Sequence, residues 1–133
     1  MIYLDSSALL KLVVAEKESA ALATWLVEQA DVSVASSELA KVEVLRACRR
    51  VAPNAMDLAR DLLLGLDLVP LSSSVIDVAA ELKGDALRSL DALHLASALA
   101  VRTALTAFVA YDLRLQAGAA VAGLPTYVPG ALV

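Results

Sequence analysis

Fifteen Asp and Glu residues are spread along 133 residues, and four of them sit where chemistry is possible. Asp5 follows the apolar run Ile2-Tyr3-Leu4, and Asp112 follows Phe108-Val-Ala-Tyr111. Asp91 is the only charge between Arg88 and Arg102, and Glu43 lies in a run with helical spacing. Carboxylates are hard oxygen donors, suited to Mg²⁺ or Mn²⁺. Ions so held support phosphodiester hydrolysis: one activates water and a second stabilises the leaving oxygen. Each acid also has a plain alternative. Asp5 and Asp112 are well placed as helix caps, Asp91 as a first-turn acid behind Ser89, and Glu43 as a partner of Arg46 or Arg50.

The elements that must position these acids follow from local pattern. Met1–Asp5 is apolar and β-prone and predicts a first strand. Ser6 or Ser7 caps a short helix through Val14, and Lys17–Ala30 has helical periodicity. Asp31–Ala35 reads as a second strand, and Ser36 or Ser37 caps a helix to about Val51. Pro53 opens another helix that ends near Gly65. Leu66–Pro70 is a third strand. A helix from Ser72–Ser74 through Leu82 follows, then one over Ser89–Thr103. Thr106–Tyr111 is a fourth strand, Asp112–Ala117 a short helix, and Leu124–Val128 a fifth strand placed at an edge by Pro125.

Strands alternating with helices predict an α/β fold with a parallel sheet, whose sites lie beyond the carboxyl ends of the strands. Asp5 and Asp112 occupy two such ends. Neighbouring strands are roughly 5 Å apart, so the two carboxylates can share an ion. Asp91 shares a helix face with Leu95 and Ala98, where an unpaired carboxylate costs several kcal/mol and a cation compensates. With Ala40, Val44, Ala47, Cys48 and Val51 turned inward, Glu43 lies at the edge of that stripe and Glu38 nearly opposite. Glu43 is the glutamate that reaches a site, and Glu38 is expected in solvent. Val42 and Leu45 give the same helix a second apolar side.

Composition narrows the function. Hydrophobic residues make up 59% and charged residues 20%, which excludes disorder and predicts one domain over residues 1–133. The net charge of −4 argues against bulk electrostatic binding of nucleic acid, yet bound ions invert the local sign of charge. One cysteine, Cys48, and one histidine, His94, exclude an intrachain disulfide and a Cys/His zinc site and fit a reducing cytoplasm. No basic region precedes the first apolar stretch, and no signal peptide is expected. The mean hydropathy is +0.71. However, the longest uncharged stretch, Leu115–Val133, is broken by glycines and prolines, so no membrane span is expected.

Four motifs in order now resemble a family. Asp5-Ser6-Ser7-Ala8, Ser37-Glu-Leu-Ala-Lys-Val-Glu43-Val-Leu-Arg46, Leu90-Asp91-Ala-Leu-His94-Leu-Ala-Ser-Ala and Val109-Ala-Tyr-Asp112-Leu-Arg114-Leu are similar to the PIN domain. They are most similar to the VapC toxins of bacterial type II toxin–antitoxin systems. The resemblance implies a PIN-like three-layer α/β fold, with a central, mostly parallel sheet of four to five strands flanked by helices. It implies an endoribonuclease dependent on Mg²⁺, with Mn²⁺ as a substitute. Asp5 and Asp91 would be the principal metal ligands, Glu43 and Asp112 would complete the catalytic acidic pocket, and Ser6 would support it. It further implies RNA as substrate, a cognate VapB-like antitoxin as partner, and a homodimer. Ala110 stands where many relatives carry Thr, which removes a hydroxyl beside the last Asp.

Other readings fit less well. Haloacid-dehalogenase-like phosphatases need an Asp where Ser7 stands. Receiver domains need an acidic pair near the first strand and a late Lys. Nucleotide-binding folds need a glycine-rich first turn. A PIN-like module that only binds RNA or a partner is the remaining alternative. His94 is expected to act in a structural or supporting role, Cys48 as a small core residue, and Trp25 as core or interface. Arg46, Arg49, Arg50 and Arg114 are expected as solvated charges.

Overall fold

The computed structural model describes residues 1–131. Four short strands, β1 (Ile2–Leu4), β2 (Val34–Ser37), β3 (Asp67–Val69) and β4 (Ala107–Val109), form one parallel sheet in the order β3-β2-β1-β4. The chain builds outward from β1 through β2 to β3, then returns to place β4 on the other side of β1. The order therefore reverses between β1 and β4, where an open α/β sheet leaves a crevice at its carboxyl edge.

Side-chain alternation fixes the layers. Ile2, Leu4, Ala107 and Val109 point to one face and pack with Ala8 and Leu9 of α1 (Ser6–Lys11) and Leu22 of α2 (Ser19–Glu28). Ala40, Val44 and Cys48 of α3 (Glu38–Val51) and Ala59 and Leu63 of α4 (Met56–Leu64) complete that core. Tyr3, Ala35, Phe108 and Ala110 meet Leu95 and Ala98 of α6 (Ser89–Ala100) and Leu115 and Ala119 of α7 (Leu113–Val121) on the other. There α5 (Ser73–Glu81) packs against α6. Both faces are covered, which is why the adjacent strands β1 and β4 carry no charged residue.

The elements deviate from local pattern in five places. β2 begins later than expected and takes in Ser36 and Ser37, both buried. The Ser36 hydroxyl donates to the Leu4 carbonyl at 2.6 Å, which satisfies it inside the sheet. The segment expected as a fifth strand makes only an isolated parallel bridge, Phe108 to Thr126. Pro125 has no N–H to continue a ladder. α7 runs on to Val121 and closes at Gly123, where φ is +83°. The N–H groups of Gly123 and Leu124 bond the carbonyls of Ala120 and Ala119, both at 3.0 Å, a glycine-terminated helix end. α6 stops at Ala100. In α3, the inward stripe ends at Cys48, and Val51 is exposed. No helix among the described residues is long and apolar enough to cross a membrane.

Candidate active site

Asp5 leaves β1 and caps α1. Its Oδ1 accepts from the Ala8 N–H at 2.9 Å and from the Ser7 hydroxyl at 2.7 Å. The capping role is therefore real, yet it occupies one oxygen, and Oδ2 remains for another partner. Asp5 is only 5% exposed. Burial drives its carboxyl above the ordinary range. The neighbouring Glu43 charge adds to the rise, while His94 and the Ser7 and Ala8 bonds oppose it. A simple helix cap is shifted the other way.

Asp112 illustrates that contrast. It caps α7, with Oδ1 accepting from the N–H groups of Arg114 at 2.9 Å and Leu115 at 3.1 Å. Its Oδ2 lies 3.5 Å from the Arg114 guanidinium. Slight burial pushes its carboxyl up, but the Leu115 and Arg114 bonds outweigh this and hold it low. The turn carrying Asp112 is tied to Asp5 through Ser7, whose hydroxyl also accepts from the Tyr111 N–H at 3.0 Å. Ala110 is buried, and its carbonyl accepts from the Gln116 side chain at 2.9 Å.

Glu43, in the second turn of α3, faces neither Arg46 nor Arg50. Its Oε1 accepts from the Ser6 hydroxyl and from Nε2 of His94, the latter at 2.7 Å. Half-burial pushes its carboxyl up. The His94 and Ser6 hydrogen bonds and the proximity of His94 overcome that and leave it lowered. Glu38 is exposed, but it is not idle. Its Oε1 accepts from the Leu71 N–H at 2.9 Å and ties α3 to the chain after β3.

Asp91 is half-buried in the first turn of α6. Arg88, not Ser89, is the capping residue, and its N–H reaches Asp91 Oδ2 at 3.4 Å. One turn on, His94 is buried and joins three elements. Its Nδ1 is hydrogen-bonded to the Tyr3 hydroxyl at 2.8 Å, and its Nε2 lies 3.0 Å from Ser6 Oγ. Burial and the nearby Asp5 charge raise the Tyr3 phenol far above its usual range, so that hydroxyl keeps its proton. Sequence reasoning gave His94 a supporting place without partners, since Tyr3, Ser6 and Glu43 are remote from it in the chain.

The structure thus couples Asp5, Ser6, Glu43 and His94 at the switch point, with the Asp112 turn attached through Ser7. Asp91 stands one helical turn from His94. Among the described residues, no three His, Cys, Asp or Glu side chains converge on a ready ion position. The donor set still fits Mg²⁺. That ion binds through one or two carboxylates and keeps several waters, and a buried acid beside a second acid gains most from a cation. The remaining basic candidates, Arg46, Arg49, Arg50 and Arg114, are exposed, and Cys48 is buried with its thiol on the Ala52 carbonyl at 3.3 Å. Trp25 is half-buried against Tyr127, with ring centroids 5.1 Å apart.

Comparison with known proteins agrees with this architecture. The PIN domain family model matches residues 2–120. The chain is 45% identical over 135 residues to Ribonuclease VapC47 of Mycobacterium tuberculosis (strain CDC 1551 / Oshkosh), covering 99% of each. It is 41% identical over 132 residues to Ribonuclease VapC35 of the same organism, covering 98% of each. Among solved structures, M. tuberculosis VapC20, described as a sarcin-ricin loop cleaving toxin, aligns with a TM-score of 0.75 at 16% identity. The alignment covers 93% of this chain and 96% of that one. VapBC2 from Rickettsia felis, bound to a DNA fragment from its promoter, aligns with a TM-score of 0.69 at 15% identity, covering 97% and 99%. At those identities the two structures speak to the fold alone. The family match over most of the length, and VapC relatives of high identity from end to end, establish that this chain belongs to the PIN-domain family as a VapC-like member.

Proposed function

We propose that the chain is a Mg²⁺-dependent endoribonuclease, the toxin of a type II toxin–antitoxin pair. The observation that carries this reading is the Asp5 carboxyl, buried at the β1/β4 switch point beside Glu43 and raised by that burial. An acid so placed is costly to the fold and useful to an ion site. The VapC ribonucleases that match the chain from end to end support RNA as the substrate.

In this reading Asp5 and Asp91 are the principal ligands, and Glu43 and Asp112 complete the pocket. An ion held there supplies Lewis-acid polarisation of a phosphodiester and a water acidic enough to attack at neutral pH. Asp5 contributes the oxygen that capping leaves open. Glu43 is held by Ser6 and His94 through one oxygen and offers the other. Asp112, held at the start of α7 by its capping bonds, adds negative charge to the pocket in this reading. Mn²⁺ replaces Mg²⁺ in the same oxygen set.

Two partners belong to the proposal. A cognate VapB-like antitoxin covers the acidic pocket, a reading favoured by the VapBC assembly among the similar folds. A second copy of the chain pairs with the first to form a homodimer, consistent with the exposed Val42 on α3. The test is to incubate the purified chain with cellular RNA, with Mg²⁺ or with chelator, and map the new ends. Discrete ends that depend on the divalent ion are expected. Intact RNA in the presence of Mg²⁺ leaves the binding-module alternative standing.

A further inference from the structure

His94 has a task that neither a core residue nor a metal ligand would have. It is 3% exposed, lies on α6, and joins β1 to α3 through opposite edges of its ring. Nδ1 is bonded to the Tyr3 hydroxyl at 2.8 Å. Tyr3 is itself immobile: it is fully buried, and its ring stacks on Phe108 with centroids 5.3 Å apart and planes 7° apart. A phenol hydroxyl can donate to a neutral imidazole or accept from a charged one. The Glu43 carboxylate can only accept, so the proton between it and Nε2, 2.7 Å away, is carried by Nε2 and directed at Oε1. The Ser6 hydroxyl donates to the same oxygen.

Both donors therefore fall on Oε1 and none among the described residues on Oε2. We propose that His94, anchored by Tyr3, is a positioning residue: it pins Oε1 of Glu43 and so presents Oε2 to the acidic crevice. Partners of this kind fix the orientation of a ligating carboxylate and remove the entropy of a mobile one. The Tyr3–His94–Glu43 chain runs from the centre of the sheet to the site, so the rigidity of the core is passed to one oxygen. This inference rests on the reading of Glu43 as part of an ion site.

The histidine is the only one in the chain, so its ring nitrogens are read without ambiguity. In ¹⁵N-labelled, metal-free protein, long-range ¹H–¹⁵N correlation should show Nε2 protonated. Tyr3→Phe, which keeps the stacked ring, should shift the Nδ1 resonance as its hydrogen bond is lost, while the Glu43 carboxylate keeps the proton on Nε2. A bare Nε2 in the wild type, or an Nδ1 resonance indifferent to Tyr3→Phe, overturns the proposal. Mn²⁺ affinity and RNA cleavage supply a second reading. His94→Leu should lower both by about 10- to 100-fold, with KM for RNA within about twofold. His94→Gln should restore most of the loss, because its amide nitrogen reaches the Nε2 position. Equal losses in folded His94→Leu and His94→Gln refute a positioning role. If His94→Leu does not fold, Tyr3→Phe and His94→Gln carry the test. If the wild type leaves RNA uncut, the nuclease reading fails by itself, and the imidazole spectra and Mn²⁺ affinities still decide the role of His94.

Discussion

The backbone N–H of Tyr111 donates to the hydroxyl of Ser7 at 3.0 Å. The same hydroxyl donates to Asp5 at 2.7 Å, so one serine ties the first aspartate to the turn that carries the last. Neither strand end sets this geometry alone: Ser7 comes from the first turn of α1, and Tyr111 follows β4.

Ser7→Ala should leave the Tyr111 N–H without its partner and remove one donor from Asp5. The expected cost is about 1–3 kcal/mol of unfolding free energy, read by urea denaturation. A Ser7→Ala chain as stable as the wild type would show that the linkage is replaceable by solvent.

Asp5→Asn should separate stability from function. The folded chain holds the Asp5 proton more tightly than the unfolded chain does, because burial raises this carboxyl. The stability this confers is present at acid pH and is lost as pH rises through the shifted value. Asparagine keeps the capping oxygen and carries no charge. The variant should therefore match the wild type in thermal midpoint below the ordinary value of 3.8 and exceed it increasingly towards neutrality. Ion binding should be lost throughout. A variant less stable than the wild type at pH 7 would contradict the burial argument.

The two glutamates of α3 should part company. Glu43→Gln removes the charge at the crevice, and cleavage should fall by more than the ~10–100-fold typical of an outer partner. Glu38→Gln retains an oxygen for the Leu71 N–H and should leave cleavage within about twofold, at a stability change of about 0.5 kcal/mol or less. Steady-state rates on one oligonucleotide settle the comparison.

Inhibition should be electrostatic at the pocket and apolar elsewhere. If Asp5, Glu43, Asp91 and Asp112 form the proposed acidic pocket, an Arg or Lys of the antitoxin suits it, with the bulk of the affinity from apolar contact. Replacing that one basic residue should restore cleavage while weakening the complex far less. A complex structure with no basic side chain near these acids would sink the idea.

Much of this was legible in the chain because β1 and β4 are apolar runs with sharp polar ends, and because the helices around them are periodic. The strand ends point to Asp5 and Asp112 as candidates, and helical phase separates the half-buried Glu43 from the exposed Glu38. Other features depend on contacts between remote residues. Ser36 and Ser37 both read as caps of the following helix; Ser37 is that cap, accepting from the Leu39 N–H, whereas Ser36 donates to the Leu4 carbonyl inside the sheet, which has no local signature. The bond from Glu38 to Leu71 and the bridge from Tyr3 through His94 to Glu43 have no local signature. The segment around Pro125 looked like a strand because its side chains are suitable, although its backbone can pair only once.

The most direct test sets wild type, Asp5→Asn and Glu43→Gln side by side on one RNA oligonucleotide over a Mg²⁺ titration, with folding checked by circular dichroism. Wild-type cleavage is expected to rise with Mg²⁺ and stop with chelator, while both variants remain folded and cut at least about 100-fold more slowly. Folded variants that cut as fast as the wild type, or wild-type cleavage indifferent to chelator, would contradict the ion-dependent nuclease reading.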